Sequence, residues 1–169
     1  VLDMQRKERM STEEVARFQR EVLQLIVNYV RSHRLDTTGT QVFANLTVVA
    51  GDSFTVVARN QTHRTPGARY LVADTVVGVA FASGDAALTG NVYADYPDTA
   101  KGKPYRSILA IPVRSDDAVL GVVSIDSARL YHFDWFKNDL VESLAPYVAL
   151  LAWTIPGKRD VASSKRELS

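Results

Sequence analysis

The residues best suited to chemistry gather between positions 93 and 106. Tyr93, Tyr96 and Tyr105 stand there with Arg106, and the acids Asp95 and Asp98 lie among them. An aromatic wall beside a guanidinium can hold a planar or anionic ligand. The competing reading is that the tyrosines pin a loop and Arg106 pairs with an acid, since tyrosine often has one buried and one polar end. A second group is Ser124, Asp126, Ser127 and His132. These are the residue types of an acyl-transfer triad, but such a nucleophile needs a sharp strand-to-helix elbow. The sequence offers none, so Ser124 and Asp126 are read as pocket lining. His33, His63 and His132 show no paired metal-ligand spacing and are assigned to surface or capping positions. Gly78, Gly84 and Gly90 have the wrong spacing for a phosphate loop. The chain has no cysteine, which removes thiol catalysis, disulfides and thiolate metal sites.

These side chains must be positioned by elements that the sequence marks. Ser11 or Thr12 can cap a helix over 12–34, with Glu13 and Glu14 in its first turn. Val15, Phe18, Val22, Leu25 and Tyr29 recur at 3-4-3-4 spacing along it, and Leu23, Ile26 and Val30 widen the stripe. A stripe of that width can serve both the chain's own core and a second copy. Two β-rich runs, 41–50 and 53–60, flank Gly51 and Asp52 as a hairpin. Residues 61–70 read as a polar loop. Asp74 or Thr75 can start a helix that carries Phe81 and stops at Gly84. A short strand follows at 86–93, then a loop with Pro97, Gly102 and Pro104. Asp134 is a candidate cap for a last helix over 135–154, which Pro146 interrupts.

Between them runs "YRSILAIPVRSDDAVLGVVSIDS", residues 105–127, two apolar runs joined by an acidic turn. Alternation puts Ile108 and Ala110 on one face, and Leu109, Ile111 and Val113 on the other. In the second run Gly121, Val123 and Ile125 share a face, with Gly121 leaving room for a helix. The opposite face grades from Leu120 and Val122 to Ser124 and Asp126. Such a hairpin reads as the floor of a roofed chamber. Followed by "FDWFKNDLVESLAPYVALLAW", it resembles the C-terminal half of a GAF domain. The segment "VVGVAFASGDAALTGNVYADYP" resembles that family's middle, and the match covers 12–155.

The resemblance implies an α+β domain with a central antiparallel sheet of five to six strands. The N- and C-terminal helices would pack on one face, and loops and short helices would roof a pocket on the other. It implies a sensory domain of a signalling protein, with a small-molecule site drawn from Phe81, Tyr93, Asp95, Tyr96, Tyr105, Arg106, Ser124 and Asp126. The alternative is a ligand-free dimerisation module working through Val15, Phe18, Val22, Leu25 and Tyr29. The Asn-Lys…Phe…Asp-Glu pattern of cyclic-nucleotide-binding members is not found. Bilin-attaching members and free-methionine-sulfoxide reductases of this fold use cysteines, which this chain lacks. The expectation is therefore a non-enzymatic domain with no cofactor and no metal.

Composition fits that expectation. Hydrophobic residues are 46% and charged residues 23% of 169, with a formal net charge of +1. That balance gives no basic surface for nucleic acid. No apolar run reaches the roughly 18 residues needed to cross a bilayer, so this stretch is not expected to insert. Residues 1–10 read as a linker or frayed helix start, 11–155 as the domain and 156–169 as a disordered polar tail. The start at Val1 is read as that of a fragment, whose upstream part could include a membrane segment. The expected location is cytoplasmic, or the soluble part of a membrane-anchored protein. The expected partners are an unidentified small molecule and a second copy of the chain through the terminal helices.

Overall fold

Ser11 opens the first helix with a reciprocal capping box. Its hydroxyl accepts from the Glu14 N–H at 3.2 Å, and its own N–H donates to Glu14 Oε2 at 2.7 Å. In the computed structural model, which describes residues 10–33, 41–60, 69–71 and 75–156, this helix is α1, Thr12–Ser32. The hairpin follows as β1 (Val42–Ala50) and β2 (Ser53–Arg59), then β3 (Arg69–Leu71). Helix α2 (Val76–Ser83) starts at Thr75, whose hydroxyl accepts from the Gly78 N–H at 2.9 Å. It ends at Gly84, whose left-handed φ of 72° suits a residue without a side chain. Then come β4 (Ala87–Thr89), α3 (Val92–Asp95), α4 (Pro97–Ala100), β5 (Ser107–Ser115), β6 (Ala118–Ser127) and α5 (Lys137–Ala152).

The six strands form one antiparallel sheet in the order β3-β2-β1-β6-β5-β4, as the α+β expectation required. Helices α1 and α5 pack together on one face and touch β1 and β5. From α1, Val22, Leu23, Ile26, Val27 and Val30 turn inward; from α5, Leu140, Leu144, Val148 and Leu151. They meet Ala44 and Leu46 of β1, Leu109, Ile111 and Val113 of β5, and Val123 and Ile125 of β6. Strand alternation therefore sorted the 105–127 hairpin as the pattern predicts. A smaller apolar cluster lies on the other face. There α2 and the α3–α4 segment bring Val76, Val77, Ala80, Val92 and Ala100 over Phe54, Ile108, Ala110 and Val122. Among the described residues no helix is long and apolar enough to cross a membrane.

Several local expectations need correction: residues 69–70 of the expected polar loop belong to β3, and the strand expected over 86–93 ends at Thr89. Asp134 does not cap α5: the N-cap is Phe136, with no side-chain cap bond. Residues 130–136 are turns instead, and the Asp134 carboxylate lies over Gly90, where an added Cβ would sit 2.8 Å from both its oxygens. The loop from 91 holds two single-turn helices, because Asn91 Oδ1 accepts from the Ala94 N–H and Pro97 suits a first helical position. His132 is neither surface nor cap. It is buried, its Nδ1 2.5 Å from Ser127 Oγ, and it stacks on Phe133. Gly121 makes room for a strand and a turn rather than for a helix. A Cβ there would meet the Thr47 carbonyl of β1 at 2.5 Å and Ile155, beyond α5, at 3.4 Å. The loop carrying His63 lies outside the described residues, as do Asp74 and the tails 1–9 and 157–169.

Candidate functional site

The centre of the sheet's second face is polar. Strand β1 alternates Val42, Ala44 and Leu46 toward the helices with Phe43, Asn45 and Thr47 toward the roof. Antiparallel register places Asn45 opposite Ser124, Phe43 opposite Asp126 and Thr47 opposite Val122. Asn45 Nδ2 donates to Ser124 Oγ at 3.2 Å and to Asp126 Oδ2 at 2.9 Å. All three are covered: Asn45 is 2%, Asp126 4% and Ser124 5% exposed. Polar side chains on an interior strand are costly to bury unless their hydrogen bonds are made. Asn45 Oδ1 is buried and accepts no hydrogen bond.

A β-bulge completes this strip. The β1–β2 register shifts between Leu46 and Thr47, so Leu46 faces Ala58 while Thr47 faces Val56. Val57 is thereby the extra residue, and Arg59 comes opposite Asn45 on the roofed face, itself buried. Asn60 fixes the end of the bulged strand: its Oδ1 accepts from the Ala44 N–H at 2.7 Å and its own N–H donates to the Ala44 carbonyl at 3.1 Å.

Apolar walls border the polar strip. On the β5 side Ile108 pairs with Asp126 and Ala110 with Ser124. Phe54 of β2 meets Phe81 of α2 edge-on, ring centroids 5.5 Å apart. Tyr96 and Tyr105 pack, half-buried, against the same cluster. At about 4.8 Å between strands, the face from Arg59 through Asn45 and Ser124 to Ala110 spans about 14 Å.

Of the residues singled out from sequence, the structure joins Ser124 and Asp126 through Asn45, and gathers Phe81, Tyr96 and Tyr105 on the adjoining wall. Tyr93, Asp95 and Arg106 sit on the outer side of the α3–α4 segment and are exposed. There the Arg106 guanidinium lies 5.4 Å from the Tyr93 ring centre. Tyr93 Oη donates to the Lys103 carbonyl, and Thr89 Oγ1 donates to Asp95. These contacts fasten the segment down, as does the Val92 N–H to the Arg106 carbonyl at 2.8 Å. The triad does not assemble. Ser127 and His132 pair in the interior, while Asp126 belongs to the opposite face with Asn45.

Asn45, Thr47 and Arg59 were not found by sequence reasoning. For the first two a signal exists: the polar-apolar alternation of "VFANLTV", 42–48, on a strand long enough to lie inside the sheet. Arg59 depends on the bulge, which no residue type announces. The dimerisation stripe also divides. Val22 is in the chain's own core, Phe18 and Tyr29 lean on it, and Leu25 is 50% exposed.

A GAF domain family model matches residues 16–151. No curated protein matches the chain. Solved structures that share its fold include the following three. The type II free methionine-R-sulfoxide reductase of Thermoplasma acidophilum has a TM-score of 0.61 at 17% identity, over 83% of this chain and 93% of that one. The free methionine-R-sulfoxide reductase of Neisseria meningitidis, solved in complex with its substrate, has 0.57 at 22%, over 86% and 93%. The GAF domain of an Acinetobacter phosphoenolpyruvate-protein phosphotransferase has 0.57 at 17%, over 86% and 93%.

Proposed function

The chain belongs to the GAF domain family, and on that premise we propose that it is the sensory domain of a signalling protein. A small molecule binds between the sheet and its roof, and the change passes on through the terminal helices. The observation that carries this reading is the buried strip of Asn45, Ser124 and Asp126 set between apolar walls. A protein that needed only a core would fill those positions with aliphatic side chains at lower cost. A protein of this fold, the Neisseria reductase, is known in complex with its small-molecule substrate, which supports the reading. That reductase's activity is not carried over: the chain has no cysteine for thiol chemistry, and no nucleophile with a supporting base stands on the strip.

The test is a calorimetric and thermal-shift screen of metabolites and nucleotides on the 169-residue chain. A binder whose affinity falls at least tenfold in Ser124→Val supports the reading. A chamber filled by side chains in a crystal structure, with no binder found, overturns it. A second reading, the dimerisation module, draws on the exposure of Leu25 on α1 and Leu150 on α5.

A further inference from the structure

We infer that the ligand enters with an N–H donor at its buried end, an amide or an ammonium group, which it presents to Asn45 Oδ1. This rests on the chamber reading above and specifies its chemistry.

The inference starts from the handedness of one side-chain amide. Asn45 could in principle be turned either way about its last torsion, exchanging nitrogen and oxygen. Asp126 settles the choice. The group that donates to Asp126 Oδ2, at 2.9 Å, is the amide nitrogen. Ser124 Oγ takes the second N–H of the same nitrogen at 3.2 Å. The amide oxygen is thereby pointed away from both, and it is the atom left without a donor. Asn45 stands on the roofed face of an interior strand, so this oxygen, itself buried, lies under the roof rather than in the plane of the sheet.

An orphaned acceptor of this kind is a standing cost, which a matching donor removes on arrival. Donor-bearing guests therefore gain an interaction that a donor-free guest of the same shape cannot make. Ile108 and Ala110, paired with Asp126 and Ser124 respectively, offer an apolar surface to the rest of the molecule. A group that can only accept would leave the Asn45 oxygen unsatisfied.

Three small probes isolate the effect: acetamide and acetone, which share a shape, and the smaller methylammonium, titrated by NMR into the isotope-labelled 169-residue chain. The Asn45 side-chain NH2 signals and the amides of residues 44–46 and 123–126 are the reporters. The expected result is saturable shifts with acetamide or methylammonium at least tenfold tighter than with acetone, the difference one buried hydrogen bond makes. Which of the two wins tells a neutral amide donor from a cationic one. Asn45→Leu removes the acceptor and abolishes the preference. Asp126→Asn keeps the shape but frees the Asn45 amide to turn round, and it cuts the preference as well. Acetone binding as tightly as the donors overturns the inference, and so does a preference that survives in both variants. A lack of shifts with every probe, or a high-resolution structure with a fixed water donating to Oδ1, also overturns it. If acetone or a donor-free metabolite binds in the chamber, the sensory reading stands and only the donor assignment falls.

Discussion

Gly121→Ala is the sharpest perturbation of the sheet that carries the site. Gly121 lies on β6, between Val48 of β1 and Val113 of β5. Its φ is not in the left-handed region, so alanine is conformationally acceptable there. By itself, the loss of glycine's freedom in the unfolded chain would make the variant more stable by about 0.4–1 kcal/mol. The added methyl, however, falls 2.5 Å from the Thr47 carbonyl oxygen, 3.3 Å from Val48 Cγ1 and 3.4 Å from Ile155 Cδ1. The last two can yield. The first is ladder backbone, and relieving it parts β1 from β6 beside the Thr47–Val122 pair. Overpacking of this kind costs about 1–3 kcal/mol, which exceeds the entropic gain. Urea unfolding is expected to show a lower midpoint with an unchanged slope. The double variant Gly121→Ala with Ile155→Ala separates the causes. If the carbonyl is the obstacle, trimming Ile155 restores nothing and the two losses add. A Gly121→Ala protein as stable as the parent, or one rescued by Ile155→Ala, would refute this reasoning.

Two further outcomes follow from α1. Leu25→Asp is expected to leave the unfolding midpoint within about 0.5 kcal/mol of the parent, because Leu25 is exposed, whereas Val22→Asp removes a core side chain and unfolds the domain. Sedimentation of Leu25→Asp then decides the dimerisation reading. A parent that is monomeric at high concentration eliminates it, and a dimer lost in the variant supports it. The capping box gives a pH dependence. The Ser11 N–H donates to the Glu14 carboxylate and holds its pKa below the usual 4.5, with help from the Ser11 hydroxyl. The folded value is depressed, so the contribution is present above the unfolded pKa and lost as pH falls through the folded one. Acid titration below pH 4.5 should therefore fray the α1 start in the parent more than in Glu14→Gln, followed by amide exchange at Thr12–Val15. Equal fraying in both removes the carboxylate from the account.

How far the sequence carried depended on whether a feature was periodic or depended on contacts made in the fold. The hairpin of β5 and β6 was legible because period-two alternation is local: Leu109, Ile111 and Val113 went one way, and Ile108 and Ala110 the other. Helix starts at Ser11 and Thr75 were legible because a cap reaches only three residues. Asp134 failed as a cap because a distant residue claimed it. Gly90 leaves a hollow that the 130–136 turn fills, with the Tyr131 N–H bonded to the Gly90 carbonyl at 2.9 Å. Arg59 was hidden by a bulge between strands, and the clustering of the tyrosines in sequence was a poor guide to clustering in space. Tyr96 and Tyr105 turn to the wall, whereas Tyr93 turns out to Arg106.

The same alternation that sorts β6 also limits how a bound molecule can be felt at the helices. Ser124 and Asp126 face the chamber; Val123 and Ile125, each one residue away, belong to the core shared with α1 and α5. The strand cannot slide by a residue to report binding, because that would exchange its two faces. Nor can it bow freely, because the helix side is close-packed and neighbouring strands hold both edges. What remains is a small tilt of β6 with its side chains, felt through the core that Val123 and Ile125 share with α1 and α5. A ligand can drive that tilt only by its difference in affinity for the two arrangements, about 1–3 kcal/mol in typical cases. A donor satisfied at Asn45 in one arrangement and not in the other would supply a difference of that order.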